Sequence, residues 1–244
     1  MSQARSQGAA PALAPLIEVR DLRFRYEDGT QALAGVHFAL YPGESVALFG
    51  ANGSGKTTFV LHLNGLLHGQ GRISVCGEPL TSANLSVVRR KVGLVFQDPD
   101  DQLFMPTVME DVCFGLLNQG MAPAAAIERA REALRQVGME WAEGKAPYQL
   151  SGGEKRRVAI AGVVVMQPEI LVLDEPTTSL DPPTQRELAA ILNRLPQAKI
   201  VATHDVAFAR VVASRAVFFE NGRITGEGGV DELARLRRWE TQPC

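Results

Sequence analysis

Three stretches of this chain combine residue types and spacings that chemistry uses. Gly50-Ala51-Asn52-Gly53-Ser54-Gly55-Lys56-Thr57-Thr58 fits G-x-x-x-x-G-K-[ST], the pattern of a phosphate-binding loop. Its glycines let backbone N–H groups close around phosphate oxygens. Lys56 suits contact with the β- and γ-phosphates of a nucleoside triphosphate, and the Thr57 hydroxyl suits Mg²⁺. Ile170-Leu171-Val172-Leu173-Asp174-Glu175 reads as a buried strand that delivers adjacent carboxylates to its C-terminal edge, where open α/β sheets bind ligands. Asp174 suits holding Mg²⁺ and its waters, and Glu175 suits activating a water as general base. In Leu150-Ser151-Gly152-Gly153-Glu154, Ser151 and Glu154 satisfy the capping box S-x-x-E, which explains a helix start but not the paired glycines. Exposed N–H groups at Gly152 and Gly153, with the Ser151 hydroxyl, would make a second anion site. Capping and phosphate binding are compatible.

The elements that must position these groups read as follows. Val46-Ala47-Leu48-Phe49 is a buried strand feeding the glycine loop, and a helical pattern leaves it through Phe59–Leu63. Ile17, Val19, Leu22 and Phe24 mark an early strand with imperfect alternation. Gly35 to Leu40 is a second strand, closed by the turn Tyr41-Pro42-Gly43-Glu44. Arg72–Cys76 alternates, whereas Val92–Phe96, Ile170–Leu173 and Lys199–Ala202 are apolar runs, so the sheet is expected to be mixed. From about Val108 to Val165 the pattern turns helical. There Ile127, Ala130, Leu134 and Val137 form one apolar face, with Pro123 near its start and Gly138 at its stop. Asn221-Gly222, between Ala216–Phe219 and Arg223–Ile224, signals a hairpin. Val230–Arg238 reads as a short helix.

Composition excludes several classes. The formal net charge of −2 and the lack of a basic stripe argue against nucleic acid as a partner. The three cysteines, Cys76, Cys113 and Cys244, show neither metal spacing nor a disulfide framework. Residues 1–15 are Ser-, Gln-, Ala- and Pro-rich and read as a flexible tail rather than a signal peptide. The longest apolar stretch, Val158–Met166, is too short to span a bilayer, so a membrane role requires a partner.

In their order along the chain these motifs resemble the ATP-binding cassette family, whose signature is LSGG followed by Gln or Glu. The resemblance runs from about residue 17 to 228. It implies an α/β fold: a P-loop NTPase cassette with a mixed β-sheet core, an antiparallel β subdomain and an inserted α-helical subdomain. The expected boundaries are a tail over 1–15, the ATPase domain over 16–228 with its helical subdomain at about 105–165, and a short C-terminal tail over 229–244. It also implies ATP and Mg²⁺ as ligands. Nucleotide would be held by Gly50, Asn52, Gly53, Ser54, Gly55, Lys56, Thr57 and Thr58, with Tyr26 stacked on adenine. Ser151, Gly152 and Gly153 would act on the nucleotide of a second cassette. Gln97 matches the Q-loop glutamine, Ser179-Leu180-Asp181 the D-loop, and His204 the switch histidine. Catalysis then falls to Glu175, His204, Gln97 and Lys56, and the metal to Thr57, Gln97 and Asp174.

A finer resemblance lies in Phe96–Phe104, Pro106–Val108, Glu110–Val112 and Gly152–Gly162. These are similar to the ATPases of energy-coupling-factor importers, most of all the cobalt/nickel branch. That implies a peripheral subunit on the cytoplasmic face of the membrane. Its partners would be a second ATPase subunit (a copy or a paralogue), a transmembrane coupling component and a substrate-binding membrane subunit. Asp98–Phe104 is expected to dock the membrane partner, Leu103 and Phe104 giving apolar contact and Asp100 and Asp101 ion pairs. Thr178-Ser179 departs from the small residue and Gly often found in that branch. The rival reading, a soluble cassette ATPase of DNA repair or translation, calls for a coiled-coil insertion or a second cassette. A small-molecule kinase leaves Leu150–Glu154 unexplained.

Overall fold

The computed structural model describes residues 13–236. Strands β1 (Ile17–Arg25) and β2 (Gln31–Leu40) pair antiparallel, and β3 (Ser45–Phe49) leads through the glycine loop into α1 (Lys56–Leu63). Strand β4 (Gln70–Val75) pairs with β1 and β5 (Glu78–Pro79) pairs with β4, followed by α2 (Leu85–Lys91) and β6 (Val92–Val95). Helices α3 (Val108–Asn118), α4 (Pro123–Gln136) and α5 (Gly152–Val164) come next. The chain then alternates β7 (Ile170–Asp174), α6 (Pro182–Arg194), β8 (Ala198–Ala202) and α7 (Val206–Val212). It ends in β9 (Arg215–Glu220), β10 (Arg223–Gly228) and α8 (Val230–Leu236).

The strands form two sheets. One is antiparallel, in the order β2-β1-β4-β5; the other runs β10-β9-β3-β8-β7-β6, parallel except for β10. Every residue of β7 and β8 is buried, as a parallel strand covered on both faces must be. Phe59 of α1 fills the space between the sheets, its ring 5.4 Å from Phe38 and 5.2 Å from Phe219. Helices α3, α4 and α5 share a second apolar cluster, where Val112, Leu116, Leu134 and Ile160 meet Leu171 and Leu173 of β7.

This topology places the chemistry. β8 lies between β3 and β7, and all three run parallel, so their C-terminal ends open on one side of the sheet. The glycine loop follows β3, Asp174 and Glu175 end β7, and His204 follows β8. Gln97 follows β6, the neighbour of β7.

Local details differ instructively from the sequence expectations. The broken alternation of β1 reflects irregular pairing around Asp21, which adopts φ 51°. β2 begins at Gln31, four residues before Gly35, because pairing with β1 extends it. On α4, Ala126 and Ala133 join Ala130, Leu134 and Val137 in the core while Ile127 is only partly buried. Residues 230–236, expected as a short helix within the C-terminal tail, are helical. They form α8 and pack Val230, Leu233 and Ala234 against Phe49 and Phe218. Residues 1–12 of the expected N-terminal tail, and 237–244 of the expected C-terminal helix and tail, lie outside the described residues.

The hairpin tip also fixes the loop. Asn221 and Gly222 both take positive φ, 50° and 71°, as a two-residue type I′ turn requires. The Gly222 amide donates to the Ser54 carbonyl at 3.0 Å, and its own carbonyl accepts from Ala34 at 2.8 Å. A Cβ at Gly222 would lie 2.6 Å from the Ala32 carbonyl. We therefore expect Gly222→Ala to cost roughly 1–3 kcal/mol in chemical denaturation, from the strained φ and the backbone clash. Wild-type stability would contradict this account of the turn.

Candidate nucleotide site

The glycine loop is shaped by contacts that exclude side chains. Gly50 (φ 149°) would place a Cβ 2.4 Å from the Phe219 carbonyl, and Gly55 (φ 108°) one 2.5 Å from the Ala32 carbonyl. Gly55 is the N-cap of α1, so the first-turn N–H groups have no acceptor within the helix and face the loop's concavity. That concavity is a cavity of about 530 Å³ lined by Tyr26, Asn52, Gly53, Ser54, Gly55, Lys56, Thr57, Thr58, Gln97, Glu175 and His204. Thr30, Gln31, Ala32 and Thr178 complete its wall. Gly50 and Asp174 are buried behind it.

Charge is concentrated at its floor. Lys56 is 6 % exposed and donates through Nζ to the Gly50 carbonyl at 2.7 Å and, longer, to that of Ala51 at 3.3 Å. It lies 3.7 Å from Glu175 Oε1. Glu175 adopts φ 43° directly after β7, with its amide donating to the Ala202 carbonyl of β8. Its Oε2 lies 2.8 Å from His204 Nδ1; a carboxylate oxygen accepts, so the imidazole donates. Burial pushes the Asp174 carboxyl above its usual range and the Glu175 charge adds to that; the Thr57 hydroxyl, Lys56 and Arg156 oppose it.

The donor set suits a divalent cation bound mainly through oxygen. Asp174 Oδ1 and Glu175 Oε1 are buried without a hydrogen-bond partner, and the exposed Thr57 side chain is hydrogen-bonded to Asp174. No cluster of three or more His, Cys, Asp or Glu able to hold a metal occurs among the described residues. Oxygen donors without a full cage fit Mg²⁺, which keeps waters and uses substrate phosphates as ligands.

Tyr26 stands at the rim. Its hydroxyl is 2.9 Å from Thr58 Oγ1 and its ring meets Phe24 edge-on at 4.9 Å, which leaves the side chain 40 % exposed. Ser151, Gly152 and Gly153 are not brought to this cavity. Gly152 lines a neighbouring one of about 370 Å³, together with Gln97, Asp98, Asp100, Lys155 and Ser179. Ser151 and Glu154 form the capping box at the start of α5. The paired glycines have separate reasons: a Cβ at Gly153 would sit 2.5 Å from Thr184 Cγ2 of α6, whereas one at Gly152 would meet only open space. Close packing, rather than anion binding alone, therefore requires Gly153.

One expectation for the loop after Gln97 is corrected, that for Leu103, while Asp100 keeps a side chain 63 % exposed. Leu103 is 8 % exposed and belongs to the core under α3, because the short helix at Pro99–Asp101 turns it inward. Asp100 already pairs with Lys155 at 2.6 Å. Phe104 alone of the apolar pair is presented, 63 % exposed, with its ring edge-on to Phe114 at 5.0 Å.

Sequence reasoning missed Thr178, which lines both cavities, and Arg156, which is 3 % exposed and donates to the Phe96 carbonyl at 2.8 Å. The signal for Arg156 was its position: it falls three and four residues before the buried Ala159 and Ile160, on the face α5 turns to the core.

A family model described as ABC transporter matches residues 33–178, more than half of the chain. The chain belongs to the ABC transporter family. It is an ATP-binding cassette and an ATPase of that family. The energy-coupling factor transporter ATP-binding protein EcfA of Methanocaldococcus jannaschii is 46 % identical over 224 residues, covering 89 % of this chain and 80 % of that one. The structure of cbiO1 from Clostridium perfringens, described as part of the ABC transporter complex cbiONQ, superposes with a TM-score of 0.83 at 36 % identity and covers 91 % of this chain and 92 % of that one. The dimeric ATP-binding cassette MJ0796, in a post-hydrolysis state bound to ADP and Pi, gives 0.80 at 28 % identity, covering 88 % and 98 %. No described helix is long and apolar enough to cross a membrane.

Asp174 gives a prediction with a definite sign. Its folded pKa is raised above the ordinary 3.8, so the folded chain holds this proton more tightly than the unfolded one. The linked stability is full below about pH 4 and is lost as pH rises through the raised folded value. In the nucleotide-free protein at pH 7, Asp174→Asn should therefore melt above wild type, and the gap should narrow toward pH 4. The same variant should lose Mg²⁺-dependent ATP turnover. A variant that melts below wild type at pH 7 would contradict the charge assignment.

Proposed function

We propose that this chain is the ATPase subunit of an energy-coupling-factor importer, powering uptake of a micronutrient such as cobalt or nickel ions or a vitamin. The observation that carries the reading is the 46 % identity with EcfA over 89 % of the chain. The likeness to cbiO1 supports it.

In this reading ATP lies in the cavity at the strand ends. Lys56 and the first-turn N–H groups of α1 hold its β- and γ-phosphates, and Tyr26 stacks on the base. Thr57, Asp174 and Gln97 would hold Mg²⁺, which when bound neutralises charge on the phosphate oxygens. Glu175 orients and deprotonates the attacking water, with His204 fixing the carboxylate through its Nδ1 hydrogen bond. Ser151, Gly152 and Gly153 lie away from this chain's own cavity, which supports their acting on the nucleotide of a second cassette, a copy or a paralogue. Closure of two such cassettes would move a transmembrane coupling component that carries a substrate-binding membrane subunit. Phe104, Phe114 and Leu117, 63 %, 40 % and 43 % exposed, supply an apolar patch for that contact. The subunit would then be peripheral, on the cytoplasmic face of the membrane.

Glu175→Gln keeps the side chain's shape but removes the base, so ATP should bind while hydrolysis falls by roughly 10² or more. Used as tagged bait in detergent-solubilised membranes with ATP, this variant should retain a second cassette, a polytopic membrane protein and a small membrane protein. Recovery with ribosomes or DNA and without membrane proteins would contradict the importer reading.

A further inference from the structure

The segment Phe96–Gln102 is tied to α5 more closely than a surface loop requires. Arg156 Nη1 donates to the Phe96 carbonyl at 2.8 Å, and the Phe96 amide donates to Gln102 Oε1 at 3.3 Å. Gln102 Nε2 in turn donates to the Ala159 carbonyl, within α5, at 2.8 Å. Lys155 Nζ meets Asp100 Oδ1 at 2.6 Å. Three contacts to α5, at residues 155, 156 and 159, and one within the segment thus hold the backbone on either side of Gln97.

Arg156 is the buried member of this clamp. Lys155 is partly buried but its partner Asp100 is exposed, so their ion pair is screened by water and worth little, whereas the guanidinium is 3 % exposed. Burial lowers its pKa, opposed by the charges of Asp98 and Asp174, and its Nε has no hydrogen-bond partner. A buried cation with incomplete hydrogen bonding is costly, so a well-packed apolar residue would serve stability at least as well. Its placement has a geometric consequence instead. Arg156 lies five residues after Ser151, about 7–8 Å along the helix, and grips the carbonyl immediately before Gln97. Gln97 lines both the nucleotide cavity and the neighbouring cavity that Gly152 lines.

We propose that Arg156 is a positioning residue: through the Phe96 carbonyl it makes Gln97 move with the N-terminus of α5, so that engagement of Ser151–Gly153 by the opposite cassette sets Gln97 at this chain's own nucleotide. The proposal rests on the roles given above to Gln97 and to Ser151–Gly153. It adds a physical link between them, the hydrogen bond from the buried guanidinium, which of the contacts to α5 is the one made next to Gln97. Arg156 does not line the nucleotide cavity but lines the neighbouring one with Gly152, and its charge also acts on Asp174; the cycle with Gln97→Ala separates that charge effect from the route through Gln97.

The test is a double-mutant cycle on the purified full-length chain, reading ATP affinity and turnover separately. Arg156→Met should leave ATP affinity within about threefold of wild type and lower turnover roughly tenfold or more. Arg156→Lys, which keeps a charged donor for the Phe96 carbonyl, should recover part of the loss. In the Gln97→Ala background, Arg156→Met should change turnover by less than about twofold, because its route is already cut. If Arg156→Met does not fold, Arg156→Lys and Arg156→Gln carry the same cycle. Wild-type turnover in the folded variants, or losses that multiply with that of Gln97→Ala, would overturn the clamp alone. Wild-type turnover in Gln97→Ala would overturn the role of Gln97 and the clamp with it.

Discussion

Lys56 and Glu175 face each other at 3.7 Å with both side chains less than a tenth exposed. Taking two such charges out of water costs several kcal/mol each, recovered only where geometry and further hydrogen bonds are good. Much of the surrounding structure supplies those bonds. The carbonyls of Gly50 and Ala51 accept from the ammonium, and His204 donates to the carboxylate. Glu175 reaches its place through a left-handed backbone immediately after β7. Even so, Glu175 Oε1 and Asp174 Oδ1 remain without hydrogen bonds. A site built for stability would not leave buried oxygens so; one built to receive a triphosphate and a hard cation would.

The strand order makes this convergence possible. Parallel strands β3, β8 and β7 deliver loop, histidine and carboxylates to one edge, with β8 as the spacer between cation and base. The antiparallel sheet contributes the rim through Tyr26, and the hairpin tip at Gly222 joins that sheet to the loop. The helical cluster contributes nothing directly to the cavity. It reaches the site through Arg156 and Gln102, which hold the segment containing Gln97 against α5.

What the sequence made legible was local. The glycine loop, the apolar run ending in Asp174-Glu175, the capping box at Ser151 and the Asn221-Gly222 turn each depend on residues within a few positions, so their physics is contained in the pattern. What it hid was set by distant neighbours. Leu103 looks like a surface anchor beside three aspartates until the fold turns it under α3. Gly153 looks like half of an anion site until Thr184 approaches from α6. The helical spacing puts Arg156 on the face that α5 turns to the core, but the Phe96 carbonyl it grips is visible only in the fold. The break in β1 was visible as faulty alternation, but its cause, irregular pairing about Asp21, needs the partner strands.

The central claim is that Lys56, held at the floor of the strand-end cavity, is the cation that receives the terminal phosphates. Calorimetric titration of wild type and Lys56→Ala with a non-hydrolysable ATP analogue and Mg²⁺ tests it most directly. Loss of a buried charge-assisted contact worth about 2–3 kcal/mol should weaken binding roughly 30- to 150-fold while the variant stays folded. Equal affinity in the folded variant would contradict the account.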